Sequence, residues 1–459
     1  MSTGKARAAV LAAVGLLLLV STVFGQTAEQ RYWDWSTLDF EPSEYHSRRA
    51  RLIQELALIG DGVLLIPSVQ GTSHGPTFRQ LDDFHYWTGL ELPSSMLVVD
   101  ARERTAVVYA PTRDERFDNP GRRNDFPGRP LAGDSEIAER SGIEIRDARA
   151  LASDLDALAA VRALYVNLGN GGTAEEISTG LTPDLAPEHL LVLHLRKTLP
   201  RATIGNAFPA IARVRAVKSP AEIDVIRRLV RLTEDAIAQA AAHVADGIDE
   251  RSLEGWFELG CKQGGAQRIP FHPIIKSGPN SLWPWRVLAA HYDRRNRDVR
   301  DGDLVIFDVG CELDHYVSDV GRTFPVSGAF TAEQAAVLEM QRRVSAAIVS
   351  EVRPGVTLAE VQRAAELAIP PEQRRYMQTG SFFSHHLGLS TGDPVLTDEP
   401  LRAGMVFTVE PWYYNHDTGI SVFVEDMILV TENGAEILTS SLPRSAEGLA
   451  AMVMGGGGM

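Results

Sequence analysis

The sequence predicts an α/β domain followed by an α+β domain. In the first half, apolar runs alternate with helical periodicity: "DGVLLIPS" (61–68), "SSMLVVDA" (94–101), "TAVVYAP" (105–111), "SDLDALAAV" (153–161) and "ALYVNLG" (163–169). That alternation is the signature of strands and helices in turn. In the second half, two long amphipathic helices stand among β-rich runs at 304–311, 316–326, 405–414 and 422–430, a mixture expected of helices with antiparallel strands. The length of 459 residues, with 44% apolar and 23% charged, suits two or three globular domains.

The chain opens with Lys5 and Arg7 ahead of "AAVLAAVGLLLLVSTVFG" (8–25) and turns polar at Gln26. A basic start, an apolar run and small residues at its end read as a secretory signal over residues 1–25. Val23 and Gly25 fit cleavage before Gln26. The protein is therefore expected to be exported, periplasmic or secreted. The run is about as long as a minimal membrane span, so an uncleaved anchor is the alternative. No second run approaches that length, and the chain with its signal cleaved is expected to hold no stable span.

Residues 42–59, "PSEYHSRRARLIQELALI", read as an amphipathic helix, and Asn119 to Gly133, rich in Gly, Pro and Arg, as a loop. An N-terminal domain is expected over 36–205. The second domain, expected over 215–445, begins at "VKSPAEIDVIRRLVRLTEDAIAQAAAHV" (217–244). Ser219 suits a helix cap, Pro220 the first turn and Glu222 the third position of a capping box. Ile223, Ile226, Val230 and Ile237 then recur at helical spacing. A second helix over 332–352 ends before Pro354, and residues 446–459, closing in "GGGGM", read as a flexible tail.

A formal net charge of −15 argues against nucleic acid, which selects basic patches. Cys261 and Cys311 are too few for a disulfide framework or a thiolate zinc site. They are expected to be buried free thiols, although an exported protein could join them.

The chemistry lies in polar residues stranded in apolar context. Asp308 ends the strand-like "LVIF", and Asp319 follows eleven residues later in "VSDVGRTFPV". Glu410 lies in "GMVFTVEPWYY", Glu425 in "SVFVEDMILVTENG" and His385 in "SHHLGL". An unpaired buried carboxylate costs several kcal/mol or becomes neutral, so four in one domain need a common cause. Four carboxylates and one imidazole suit a pair of hard divalent cations, Mn²⁺ or Co²⁺, better than structural zinc.

"RDGDLVIFDVGCELDHYVSDVGRTFPV", "SHHLGL", "GMVFTVEPWYY" and "VEDMILVTENG" together resemble the metallopeptidases of the pita-bread fold, in particular the aminopeptidase P and Xaa-Pro dipeptidase type. "FRQLDDFHYWTGLELPSSMLVVD" (78–100) resembles that family's N-terminal, creatinase-like domain, and "VKSPAEIDVIRR" (217–228) its junction with the catalytic domain. The resemblance implies an α/β aminopeptidase P-like domain followed by an α+β pita-bread catalytic domain. It implies that Asp308 binds one metal, His385 and Glu410 bind the other, and Asp319 and Glu425 bridge the two. The cofactor implied is two divalent ions, Mn²⁺ foremost, about 3.5 Å apart around a bridging hydroxide that attacks the scissile carbonyl. Glu410 resembles the proton shuttle to the leaving nitrogen. The implied substrate is a peptide with proline at its second position, and the implied assembly a homo-oligomer.

The pattern departs from the family on the substrate side. A family histidine corresponds to His291 in "HYDRRN", or to Trp285 if the segment is counted without a gap; His291 is the preferred candidate for a catalytic role. Two more histidines are replaced by Ser381 and Gly392, the latter followed by Asp393, and an arginine by Phe423. Trp412 stands where the family has Gly, and His386, beside His385, is expected to pack. Two alternatives remain: an Xaa-Pro dipeptidase or another amide or ester hydrolase with the same cage, and a non-catalytic pita-bread binding module.

Overall fold

In the computed structural model, residues 38–70, 78–111, 135–160, 162–175, 177, 186–282, 296–377 and 384–454 are described. The expected signal at 1–25, the loop at 119–133, and His291, Trp285 and Ser381 lie outside them. The chain divides into two compact units: Met1–Ser47, Leu65–Val99 and Thr105–Val161 in the first, Arg48–Leu64, Asp100–Arg104 and Arg162–Met459 in the second.

The earlier part of the chain forms one six-stranded sheet. Its strands are β1 (Val63–Pro67), β2 (Met96–Asp100), β3 (Thr105–Ala110), β4 (Glu144–Asp147), β5 (Leu164–Val166) and β6 (Ile204–Asn206), in the order β4-β3-β2-β1-β5-β6. The pairs β3 with β4, β1 with β5 and β5 with β6 are parallel. β1 is buried along its whole length, which is why its sequence is a continuous apolar run and not an alternating one. The helices Pro42–Ile59 and Leu151–Ala159 lie where helical periodicity places them.

The later part is built from antiparallel strands and long helices. Helix Pro220–Ala241 starts in a capping box: Ser219 Oγ accepts from Glu222 N at 3.2 Å, and Ser219 N donates to Glu222 Oε2 at 2.9 Å. That satisfies two donors the first turn would otherwise leave orphaned. Helix Glu250–Gln263 follows, capped by Asp249. Strands β7 (Ile274–Ser277), β8 (Leu304–Val309) and β11 (Val320–Pro325) form an antiparallel sheet in the order β11-β8-β7. Between β8 and β11 lies a small hairpin of β9 (Glu312–Leu313) and β10 (Tyr316–Val317). Its two-residue turn, Asp314 and His315, has φ of 51° and 65°, the left-handed pair that matches strand twist in a tight hairpin. Gly310 enters this hairpin where a Cβ would lie 2.0 Å from the Ser318 carbonyl oxygen, so only glycine fits.

Helix Ala332–Glu351 and helix Leu358–Ala368 are both closed by capping boxes, at Thr331 and Thr357. Beyond them β12 (Val406–Val409), β15 (Asp426–Thr431) and β16 (Gly434–Ile437) make a second sheet in the order β12-β15-β16. β13 (Trp412–Asn415) pairs with β14 (Ile420–Phe423). Three β-runs that the sequence presents as continuous are therefore each divided in two, at 318–319, 410–411 and 424–425. At the second break Pro411 has no N–H to offer a ladder.

Two expectations are corrected. Cys261 and Cys311 form a disulfide, not a pair of free thiols: the last turns of helix Glu250–Gln263 lie against the hairpin, a proximity that a separation of 50 residues does not reveal. Of the expected tail at 446–459, Ala446–Met454 is a helix, because Leu449, Ala450 and Val453 share a face that is buried, and residues 455–459 lie outside the described residues. Among the described residues, no helix is long and apolar enough to cross a membrane.

Closing a loop of that separation removes chain entropy worth about 4 kcal/mol from the unfolded state. Cys261→Ser/Cys311→Ser is expected to denature thermally below the wild type under non-reducing conditions; equal midpoints would show that the bond constrains nothing.

Candidate metal centre

Backbone pairing brings the candidate residues together. Gly321 on β11 pairs with Asp308 on β8 and, through an isolated bridge, with Glu425. Glu425 N donates to Gly321 O at 2.9 Å and Gly321 N to Glu425 O at 3.3 Å. A Cβ at Gly321 would meet the Phe423 ring at 2.2 Å and Glu425 Cβ at 2.9 Å, so the absence of a side chain permits this approach. Asp319 precedes β11 by one residue. His385 is tied to β12: Thr408 N donates to His385 O at 2.9 Å and His385 N to Thr408 Oγ1 at 3.2 Å. Glu410 follows β12 directly.

The side chains converge. His385 Nε2 lies 3.4 Å from Asp319 Oδ2 and 3.3 Å from Glu410 Oε1. One ligand atom each from Asp319, His385 and Glu425 falls within 4.8 Å of the others. Asp308 lies beside Asp319, whose charge acts on it. The four carboxylates are buried, Glu425 completely, while His385 is half-buried. Thr408 Oγ1 donates to Glu410 Oε1 at 3.1 Å.

Burial raises all four carboxyls above the ordinary range, and for Asp308, Glu410 and Glu425 the charges of neighbouring carboxylates add to it. Asp308 and Glu425 are raised well above it, Glu425 by burial and then by the charges of Asp319, Glu410 and Asp308. Asp319 is pushed up to about 7 by burial. Glu410 is pushed up to about 8, against the pull of His385 and the Thr408 hydroxyl. Asp319 Oδ1 and both Glu425 oxygens are buried without a hydrogen-bond partner. Buried acceptors are rarely left so. Oxygen acceptors crowded around one imidazole fit hard divalent cations, which would satisfy the orphaned atoms and cancel the repulsion.

The substrate-side departures have definite places. A Cβ at Gly392 meets nothing within 4 Å, whereas Asp393 beside it is buried. It accepts from Arg215 Nη2 at 2.5 Å, Lys218 Nζ at 3.0 Å and Leu389 N at 3.2 Å. Phe423 is wholly buried against Trp412, ring centroids 4.3 Å apart. His386 packs near Phe407 with both ring nitrogens unpartnered, and burial lowers its pKa to about 3. Sequence reasoning did not single out Thr408 or Arg322 and gave Asp393 no partner. A Thr two residues before Glu410 on one strand face was the one local signal; the ion-pair partners of Asp393 and Arg322 are over a hundred residues distant.

Fold and site together define a metallohydrolase. Residues 224–432 match the metallopeptidase family M24, and residues 45–159 match the aminopeptidase P N-terminal domain. The chain is 28% identical over 454 residues to the Xaa-Pro aminopeptidase of Escherichia coli, covering 90% of this chain and 97% of that one. It is 31% identical over 251 residues to the mitochondrial intermediate cleaving peptidase 55 of Arabidopsis thaliana, half the length of each. It is 32% identical over 239 residues to the Xaa-Pro dipeptidase of Pyrococcus horikoshii, half of this chain and 64% of that one. Among solved structures, Escherichia coli aminopeptidase P with the inhibitor Pro-Leu superposes with a TM-score of 0.72 at 26% identity, covering 91% of this chain and 99% of that one. An aminopeptidase of Pseudomonas aeruginosa superposes in fold with a TM-score of 0.73 at 24% identity, covering 92% and 99%. The chain thus carries an aminopeptidase P N-terminal domain followed by an M24 metallopeptidase domain of pita-bread fold.

The raised carboxyls set a pH dependence. Unfolded carboxyls titrate near 4, whereas in the fold Asp319 titrates at about 7 and Glu410 at about 8. A folded pKa above the unfolded one gives stability that is full below about pH 4 and is lost as pH rises through 7 to 8. Chelator-treated protein is expected to melt progressively lower from pH 5 to pH 9, and added Mn²⁺ to cancel the trend. A flat profile without metal would show that the carboxylates are relieved some other way.

Proposed function

We propose that this protein is an exported aminopeptidase that removes the N-terminal residue preceding proline, with two divalent cations held by Asp308, Asp319, His385, Glu410 and Glu425. The observation that carries the reading is the convergence of these five groups with buried oxygens of Asp319 and Glu425 left unpartnered. Relatives named Xaa-Pro aminopeptidase, matched over most of their length, support the substrate class. Mn²⁺ is the proposed cation, because the donors are mainly hard carboxylate oxygens.

Divalent ions bound there would polarise the scissile carbonyl and bring a water's pKa near neutrality. The chain's own residues do the rest. Glu410, with one oxygen held by the Thr408 hydroxyl, carries a proton from the attacking water to the leaving nitrogen. That transfer is decisive for an Xaa-Pro bond, because the proline nitrogen bears no hydrogen in the peptide and must gain one to leave. His291 is assigned to the substrate side. Export is supported by the basic and apolar start of the chain and by the Cys261–Cys311 disulfide, a bond that persists in oxidising compartments.

A dipeptidase is the second reading, favoured by the match to the Pyrococcus horikoshii enzyme over half of this chain. A non-catalytic role would leave the buried carboxylates without a purpose.

Purified protein is expected to bind Mn²⁺ and to release the first residue of an Xaa-Pro-Xaa tripeptide, with no release in chelator. Glu410→Gln is expected to lower kcat by about 10² or more. Cleavage of Xaa-Pro dipeptides alone would favour the second reading, and no metal-dependent cleavage of either would overturn the proposal.

A further inference from the structure

We infer that Arg322 is the positioning residue that clamps the two halves of the metal cage together, an inference that rests on the metal-binding reading above. The cage draws on two sheets. Asp308 and Asp319 belong to the β11-β8-β7 side, and Glu410 and Glu425 to the β12-β15-β16 side. The sides are joined at the isolated bridge between Gly321 and Glu425, and Thr323 Oγ1 adds hydrogen bonds to the Phe423 backbone. Asp319 is two residues from one end of that bridge, and Glu425 is the other end.

Arg322 is completely buried beside the bridge. Its Nη1 donates to Gly321 O at 2.7 Å and to Glu425 O at 2.6 Å. Those are the same two carbonyls that accept the bridge's own N–H groups. One guanidinium nitrogen therefore ties both sides at the point where the bridging ligands meet. The rest of the group is held from behind. Nη2 donates to Asp426 Oδ1 at 2.8 Å and Nε to Pro443 O at 3.0 Å. Asp426 is anchored in turn by Thr439 Oγ1 at 2.7 Å and by Arg444 Nε at 3.4 Å. It also pairs across the ladder with Val409, the residue before Glu410.

The geometry needs arginine. Four acceptors in different directions require a planar fork of donors, whereas a lysine ammonium on its flexible stem acts as a point charge. A buried ion pair by itself is weak grounds for stability, so a partner for Asp426 does not account for the two carbonyl contacts. The clamp opposes the repulsion among the carboxylates, which would otherwise push the two sides apart.

The test uses Arg322→Lys, which keeps a cation for Asp426, and, if that fails to fold, the double variant Arg322→Gln/Asp426→Asn, which removes both charges of the pair together. Calorimetric titration with Mn²⁺ alone is expected to show affinity at least ten-fold weaker in both variants. Amide exchange at Gly321 and Glu425 in chelator-treated Arg322→Lys is expected to be at least ten-fold faster than in wild type, with exchange in β1 unchanged. Wild-type Mn²⁺ affinity in either variant, or unaltered exchange at the two amides, would overturn the inference. A wild-type protein that binds no Mn²⁺ would instead overturn the proposed function, while the exchange measurement would still decide the role of Arg322.

Discussion

Four carboxylates share one buried site, and that electrostatic conflict organises the catalytic half of the molecule. Charges of one sign at such distances in a medium of low polarity repel strongly, and desolvation penalises each one separately. The fold tolerates them because several long-range devices hold the strands at close range. Gly321 removes a side chain where two strands must meet, Arg322 cross-links the carbonyls of that meeting, and Thr408 fixes both the His385 backbone and one oxygen of Glu410. The same repulsion becomes attraction for divalent cations, so the strain on the site and its function have one origin.

Irregularity is how the strands bring the carboxylates to one centre. Asp308 is the one carboxylate inside a regular strand; Asp319, Glu410 and Glu425 all stand at points where a strand stops and the next begins. A continuous strand sends alternate side chains to opposite faces. A break releases one residue from that alternation, so a carboxylate can turn toward a common centre while its neighbours stay in the core. The Cys261–Cys311 bond acts nearby, tying the hairpin between Asp308 and Asp319 to helix Glu250–Gln263.

The substrate side is where this chain differs from the pattern it otherwise follows. Gly392 leaves open space, Asp393 turns inward to Arg215 and Lys218, and Phe423 packs tilted against Trp412 inside the protein. Buried ion pairing and aromatic packing thus occupy positions next to the cage.

The sequence alone determined the class of each half, the capping box at Ser219, and five polar residues in apolar context that the fold brings together, because buried charge in an apolar run is a local anomaly. It could not reveal that Cys261 meets Cys311, that the residues after 445 form a helix, that three β-runs are broken at the ligands, or that Arg322 spans Gly321 and Glu425. Those depend on which distant segments lie side by side. Local preferences set strands and helices residue by residue, but a bridge between positions 321 and 425 exists only once the sheets have packed, and only tertiary structure records it.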